Sequence, residues 1–239
     1  MKSMKETSVG LSFFTWLDIK NWKVGERILS TLARYGGKIS PEFVDFGKGW
    51  KSLSQIDDDG LKDIWIRSNN LLFFRKKKYQ CQLALMLDGL IPRAKPVTLW
   101  IDDDWFSIPE QIQIFIAISK GLYEIIQPEY GFIHKTSDRI KRATFHHPKF
   151  GNTVLPINLQ KGIPGIYWAN FFSTQLIELI GKERLLSASW YKQEILPDGG
   201  LFAITGSSPI EDYPSLDIQR KLEQELGNRH FYNVNNNDL

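Results

Sequence analysis

Three things are scarce in this chain of 239 residues: cysteine, histidine and any surplus of one charge. The single cysteine, Cys81, has no partner for an internal disulfide, which excludes a stapled fold and points to a reducing compartment. It lies in the apolar run QCQLALML and reads as a small buried hydrophobe. The histidines are His134, His146, His147 and His230, and none stands at H-x-x-x-H or H-E-x-x-H spacing. His146 and His147 point to opposite sides of a strand, or about 100° apart on a helix, so they rarely share a metal. Neither a metal nor a cofactor is expected. A formal net charge of +3 is too small to mark a nucleic-acid binder.

Other absences narrow the chemistry. There is no G-x-x-x-x-G-K-[ST] or G-x-G-x-x-G phosphate loop, and Ser173, Ser187 and Ser207 lack a G-x-S-x-G elbow. The apolar run LSFFTWLDI (Leu11–Ile19) is too short to span a bilayer. Asp18 and Lys20 stand where a small-residue cleavage site would be. No membrane is expected, and the chain reads as cytoplasmic.

What is present is apolar and aromatic. Hydrophobic residues make up 42% and aromatics 13%, enough for a core without disulfides or metals. Leu11–Ile19 reads as a strand, and Val24, Ile28 and Leu32 recur every four residues on one helical face before Gly36-Gly37. Residues 38–60 look irregular, and a short apolar run covers Leu61–Ile66. Leu71–Phe74, Tyr79–Leu87 and Val97–Ile101 read as strands. Pro109 and Glu110 open a helix running to Gln127, apolar nearly all round and therefore buried on most sides. With the strand Tyr130–His134 this completes a β-α-β unit.

Residues 136–162 look less regular. A helix is expected over Phe171–Ile180, then strands over Trp190–Leu196 and Leu201–Thr205 turning at Pro197–Gly200. A last helix is capped by Ser215, with a stripe of Leu216, Ile218, Leu222 and Leu226 and a stop at Gly227. The expected fold is α+β: one domain over residues 8–232, with a mixed, mostly antiparallel sheet and packed helices. It includes the β-α-β unit and a C-terminal α-β-β-α unit. Residues 1–7 and 233–239 read as tails.

Candidate functional residues are few. Asp57-Asp58-Asp59 precedes a glycine, and Asp102-Asp103-Asp104 closes a strand, a place where Mg²⁺-binding acids of hydrolases are found. Neither run has EF-hand spacing, and acids before a helix also complement its dipole. One alternative is a metal-assisted hydrolase using Asp102, Asp103 or Asp104 with His134 or His146. A second is a single-stranded nucleic-acid binder using Phe73–Tyr79, where Arg75–Lys78 lie beside aromatics.

The segment Gly162–Thr205 carries the most specific pattern. G-I-Y-W-A-N-F-F (Gly165–Phe172), an apolar helix, G-K-E-R-L-L-S-A (Gly181–Ala188) and L-P-D-G-G-L (Leu196–Leu201) resemble bacterial immunity proteins of type VI secretion and other polymorphic toxin systems. Family members often continue the aromatic-Asn-Phe start with Gly-Pro; this chain has Ser173-Thr174 there. The resemblance implies a stoichiometric inhibitor with no catalytic residues, whose partner is a cognate toxin. Under it, Tyr167, Trp168, Asn170, Phe171, Phe172, Gly181, Gly199 and Gly200 form the signature and read as core. The toxin-facing candidates are Asp57, Asp58, Asp59, Asp102, Asp103, Asp104 and Trp105, an acidic, aromatic-flanked surface suited to a basic partner. The oligomeric state is not legible.

Overall fold

In the computed structural model a strand alternation carries the first layer of organisation. The described residues are 7–35, 37–88, 94–147, 151–154 and 157–231. The tails expected at 1–7 and 233–239 lie outside them, apart from Thr7. The chain divides into two compact units, Val9–Gly131 and Phe132–Leu239 with Met1–Ser8.

The first unit holds β1 (Ser8–Thr15), α1 (Trp22–Tyr35), β2 (Phe43–Asp45), β3 (Trp50–Ser52), α2 (Asp58–Arg67), β4 (Asn70–Arg75), β5 (Cys81–Met86), β6 (Lys95–Asp102) and α3 (Pro109–Ile126). Its strand order is β1-β6-β5-β4-β2-β3, and from β6 to β3 each strand runs antiparallel to the next. The register aligns Leu99, Leu83, Phe73 and Val44 across four strands, all buried. Successive side chains point to opposite faces, so this row is the core face and its neighbours in sequence face away. Cys81 is buried as expected of it, and burial pushes its thiol up to about 12.

Helix α2 locks onto this face through Trp65. Its ring lies against Phe73 and Trp22, and its indole N–H donates to the Ile19 carbonyl at 3.0 Å. Helix α1 can approach because Gly25 has no side chain: a Cβ there would lie 2.4 Å from Trp65 Cε2. Helix α3 packs on β1, with Tyr123 edge-on to Phe13 at 6.2 Å. Thr15 Oγ1 donates to the Ile126 carbonyl at 2.8 Å, tying the end of β1 to the end of α3.

The second unit contains most of β7 (Tyr130–Lys135), then α4 (Thr136–Ala143), β8 (Thr144–His147), β9 (Gly151–Val154), β10 (Ala169–Phe172), α5 (Thr174–Ile180), α6 (Lys182–Ser187), β11 (Lys192–Ile195), β12 (Leu201–Ile204) and α7 (Leu216–Leu226). Its strands are ordered β11-β12-β10-β7, with β12 antiparallel to both β11 and β10. β8 and β9 form a separate hairpin.

The α+β class with mainly antiparallel pairing is therefore the one expected, and both supersecondary units occur in the expected chain order. Three local expectations are corrected. Ala169–Phe172 is a strand, and the helix begins only after Ser173, whose hydroxyl accepts the Leu176 N–H. Residues 38–60 contain β2 and β3, and 136–162 contain α4 and the β8–β9 hairpin. On α7 the buried residues are Gln219, Leu222 and Leu226, while Leu216 and Ile218 face solvent. No helix among the described residues is long and apolar enough to cross a membrane.

The Gly25–Trp65 contact gives a direct test. In an open helix Gly→Ala gains about 1 kcal/mol, but overpacking a filled site costs about 1–3 kcal/mol. Here the ring cannot retreat without leaving Phe73 and its hydrogen bond, so overpacking wins. Gly25→Ala lowers the urea midpoint; a raised midpoint would show that the helices separate freely at this point.

Candidate functional site

The two acidic runs do different structural work. Asp57 is the N-cap of α2, its carboxylate accepting the Gly60 N–H at 2.9 Å. Asp58 and Asp59 occupy the first helical turn and are exposed, where they complement the helix dipole. Asp102 ends β6 and accepts the Gln80 N–H at 3.0 Å. Asp103 and Asp104 open a 3₁₀ turn, Asp103–Ser107, rather than α3, which starts at Pro109. The two aromatic residues after the acids set this turn. Trp105 and Phe106 are 2% and 3% exposed, edge-on to Tyr79 and Phe115 at 5.1 Å.

Trp105 and Trp65 therefore support the acids from inside. Asp57, Asp58, Asp59 and Asp104 are exposed and Asp102 and Asp103 half-buried; of these Asp57 and Asp102 hold backbone N–H groups. The basic turn Arg75–Lys78 is partly neutralised on its own unit. Arg75 pairs with Glu42 at 3.1 Å, Lys77 approaches the same carboxylate at 3.5 Å, and Lys78 lies 3.9 Å from Asp104. Among the described residues no group of three or more His, Cys, Asp or Glu is arranged to hold a metal ion. His134 is buried beside the rings of Phe132 and Tyr167, at 5.1 and 5.8 Å, and the His146 side chain lies outside the described residues.

The signature segment lies in the second unit; Gly165–Phe172 and Gly200 are interior, whereas Gly181 is half-buried and Gly199 exposed in its turn, against the expectation that both are core. Tyr167, Trp168, Asn170, Phe171 and Phe172 are each at most 1% exposed. Asn170 closes a local turn, its amide accepting the Tyr167 N–H at 3.1 Å and donating to the Tyr167 carbonyl at 3.0 Å. The buried Tyr167 N–H is thereby satisfied, and its carbonyl, which also accepts from the Thr205 hydroxyl at 3.3 Å, gains a second donor. The Trp168 indole N–H donates to the Gly206 carbonyl at 2.9 Å. Gly181 ends α5 at φ 103, and Gly199 sits at φ 88 in the hairpin turn, beside buried Gly200.

Around this segment Arg142 acts as a clamp. Its guanidinium donates to the Ile166 carbonyl at 2.8 Å, to Gln219 Oε1, and to Glu223 Oε1 at 2.5 Å. It also lies 5.0 Å from the Tyr167 ring, which stacks on Phe132 at 4.2 Å. Glu223 accepts the Ile166 N–H as well, at 2.9 Å. Gly165 is required here: a Cβ would lie 2.0 Å from Arg142 Nη2, and its φ of 136 is one L-residues rarely adopt.

No protein-family model matches the chain, and no curated protein matches it in sequence. Among solved structures, the Pseudomonas aeruginosa T6SS protein PA0821 has a similar fold. The TM-score is 0.58, covering 95% of this chain and 73% of that one, at 11% sequence identity. At that identity the likeness is one of fold.

Reading the sequence alone did not single out Arg142, Gln219 or Glu223 as partners. A signal was present, since Gln219 and Glu223 are polar residues four apart beside Leu222 and Leu226 on the stripe of α7. Arg142→Met leaves Glu223 with one donor and a half-desolvated charge. Both side chains keep 16% exposure, so the loss is at the low end for buried pairs, about 2–4 kcal/mol in urea unfolding. Adding Glu223→Leu recovers part of it. A double variant less stable than Arg142→Met would show that Glu223 acts mainly on Ile166.

Proposed function

We propose that this chain is an immunity protein, which binds a secreted antibacterial toxin one-to-one in the cytoplasm and blocks it without chemistry of its own. The observation that carries this reading is the Gly165–Leu201 pattern, which resembles immunity families. It is set in a fold similar to that of a T6SS protein. The buried signature fits a scaffold whose core is recognisable while its surface is adapted to a partner. An aromatic-rich core held by the Asn170 turn and the Arg142 clamp supplies rigidity, which limits the ordering cost of association.

The toxin-facing charge is assigned to Asp58, Asp59, Asp103 and Asp104. Asp57 and Asp102 are excluded from the test because their carboxylates cap a helix and a loop. Trp105 is excluded because it is buried.

Two outcomes are expected. Co-expression of this chain with the toxin domain encoded beside its gene restores growth, and the purified pair elutes as a one-to-one complex. Continued growth arrest with no complex would end the reading. Changing Asp58, Asp59, Asp103 and Asp104 to asparagine lowers the association rate about ten-fold and flattens its salt dependence, with little change in the dissociation rate. An unchanged association rate in stopped-flow mixing would place the contact surface elsewhere.

A further inference from the structure

The face of the first unit's sheet opposite its core carries a group of rings that core packing does not explain. Val44 and Phe73 point into the core, so Phe43 and Phe74, directly opposite each other in the register, point away from it. Trp50, paired with Asp45, falls on the same side from β3. The three rings close on one another: Phe43 stacks on Phe74 at 5.3 Å, and Trp50 meets Phe43 edge-on at 5.0 Å and Phe74 at 6.4 Å. Trp50 remains 53% exposed, and β3 is the last strand in the order.

The space between the rings is filled by a cation. Lys76, the residue after β4, places Nζ 3.7 Å from the centroid of Trp50, 4.9 Å from Phe43 and 5.7 Å from Phe74. One ammonium lying close over Trp50 with two further rings within 6 Å makes an aromatic cage, the arrangement by which proteins hold organic cations.

We propose that Phe43, Trp50 and Phe74 form a cation site which Lys76 occupies in the free chain, and which an arginine side chain of a protein partner enters on binding. The chemistry of the occupant is read from Lys76. The exchange favours arginine, because a guanidinium is planar, stacks on Trp and is less strongly hydrated than an ammonium. A partner side chain suits the site better than a free small molecule, because the cage opens at the edge of the sheet and encloses its cation on three sides only. A lone cation held so shallowly binds weakly, whereas one delivered by a docked protein needs no enclosure. This proposal does not depend on the partner being a toxin.

The test uses the whole chain and N-acetyl-arginine amide as the probe, with the Trp50 indole N–H monitored by NMR. N-acetyl-citrulline amide, the uncharged isostere, and phosphocholine are the comparisons. In Lys76→Ala the arginine probe shifts Trp50 saturably, and roughly five-fold more probe is needed in the unaltered chain, where Lys76 competes. Citrulline leaves Trp50 unmoved. In Trp50→Leu the arginine-dependent shift of the Phe74 amide disappears; both altered residues are exposed, so the fold is retained. Equal shifts with citrulline, no gain on removing Lys76, or persistence of the Phe74 shift without Trp50 would each overturn the site. Tighter binding of phosphocholine than of arginine would overturn its assignment to a protein side chain.

Discussion

The first unit depends on the parity of one register. Leu99, Leu83, Phe73 and Val44 line up across β6, β5, β4 and β2, and the alternation of a strand then fixes every other side chain of the four. A slip of one residue would bury Gln82 and expose Leu83, replacing apolar burial with an amide lacking partners. Trp65 and the approach of α1 rest on Phe73 being inward. The ring cluster of Phe43, Trp50 and Phe74 rests on the same choice from the other side.

The second unit is organised by polar groups set within apolar surroundings. Asn170 and Arg142 both bind main-chain groups of the stretch from Ile166 to Tyr167, a bend between strands that cannot pair in a ladder. A buried bend of this kind is stable only if its amides and carbonyls find partners. That is the physical content of the Asn in the aromatic-Asn-Phe pattern and of the glycine five residues before it. The Gly165–Phe172 part of the pattern marks where backbone is turned inside the protein, which explains how that stretch can be so recognisable while wholly buried.

Long, strongly patterned elements were legible in the sequence. α1, α3, α7 and the strands from β4 to β7 follow from periodicity and from their caps, because burial on a fixed face imposes a spacing. Other elements were hidden for particular reasons. β10 reads Ala-Asn-Phe-Phe, apolar without alternation because nearly every side chain is buried, so periodicity cannot separate strand from helix. β2 and β3 are three residues each, too short for a pattern. α2 begins with its acids, and a run of three aspartates reads as a loop until Asp57 is seen capping Gly60. The acidic candidates were visible as charges, but their division into capping and solvent-facing members depends on distances. The aromatic cage joins Phe43, Trp50 and Phe74 from three strands, a juxtaposition that only the register reveals.

Cys81 opens β5, opposite Arg75 on one side and Ile101 on the other, and its buried thiol donates to the Ile39 carbonyl at 2.6 Å. As the chain's one sulfhydryl, it makes intermolecular disulfides a record of opening. Two molecules with this thiol covered cannot bring the sulfurs together, so any covalent dimer formed under oxidation counts molecules that had opened around Cys81 and Ile39.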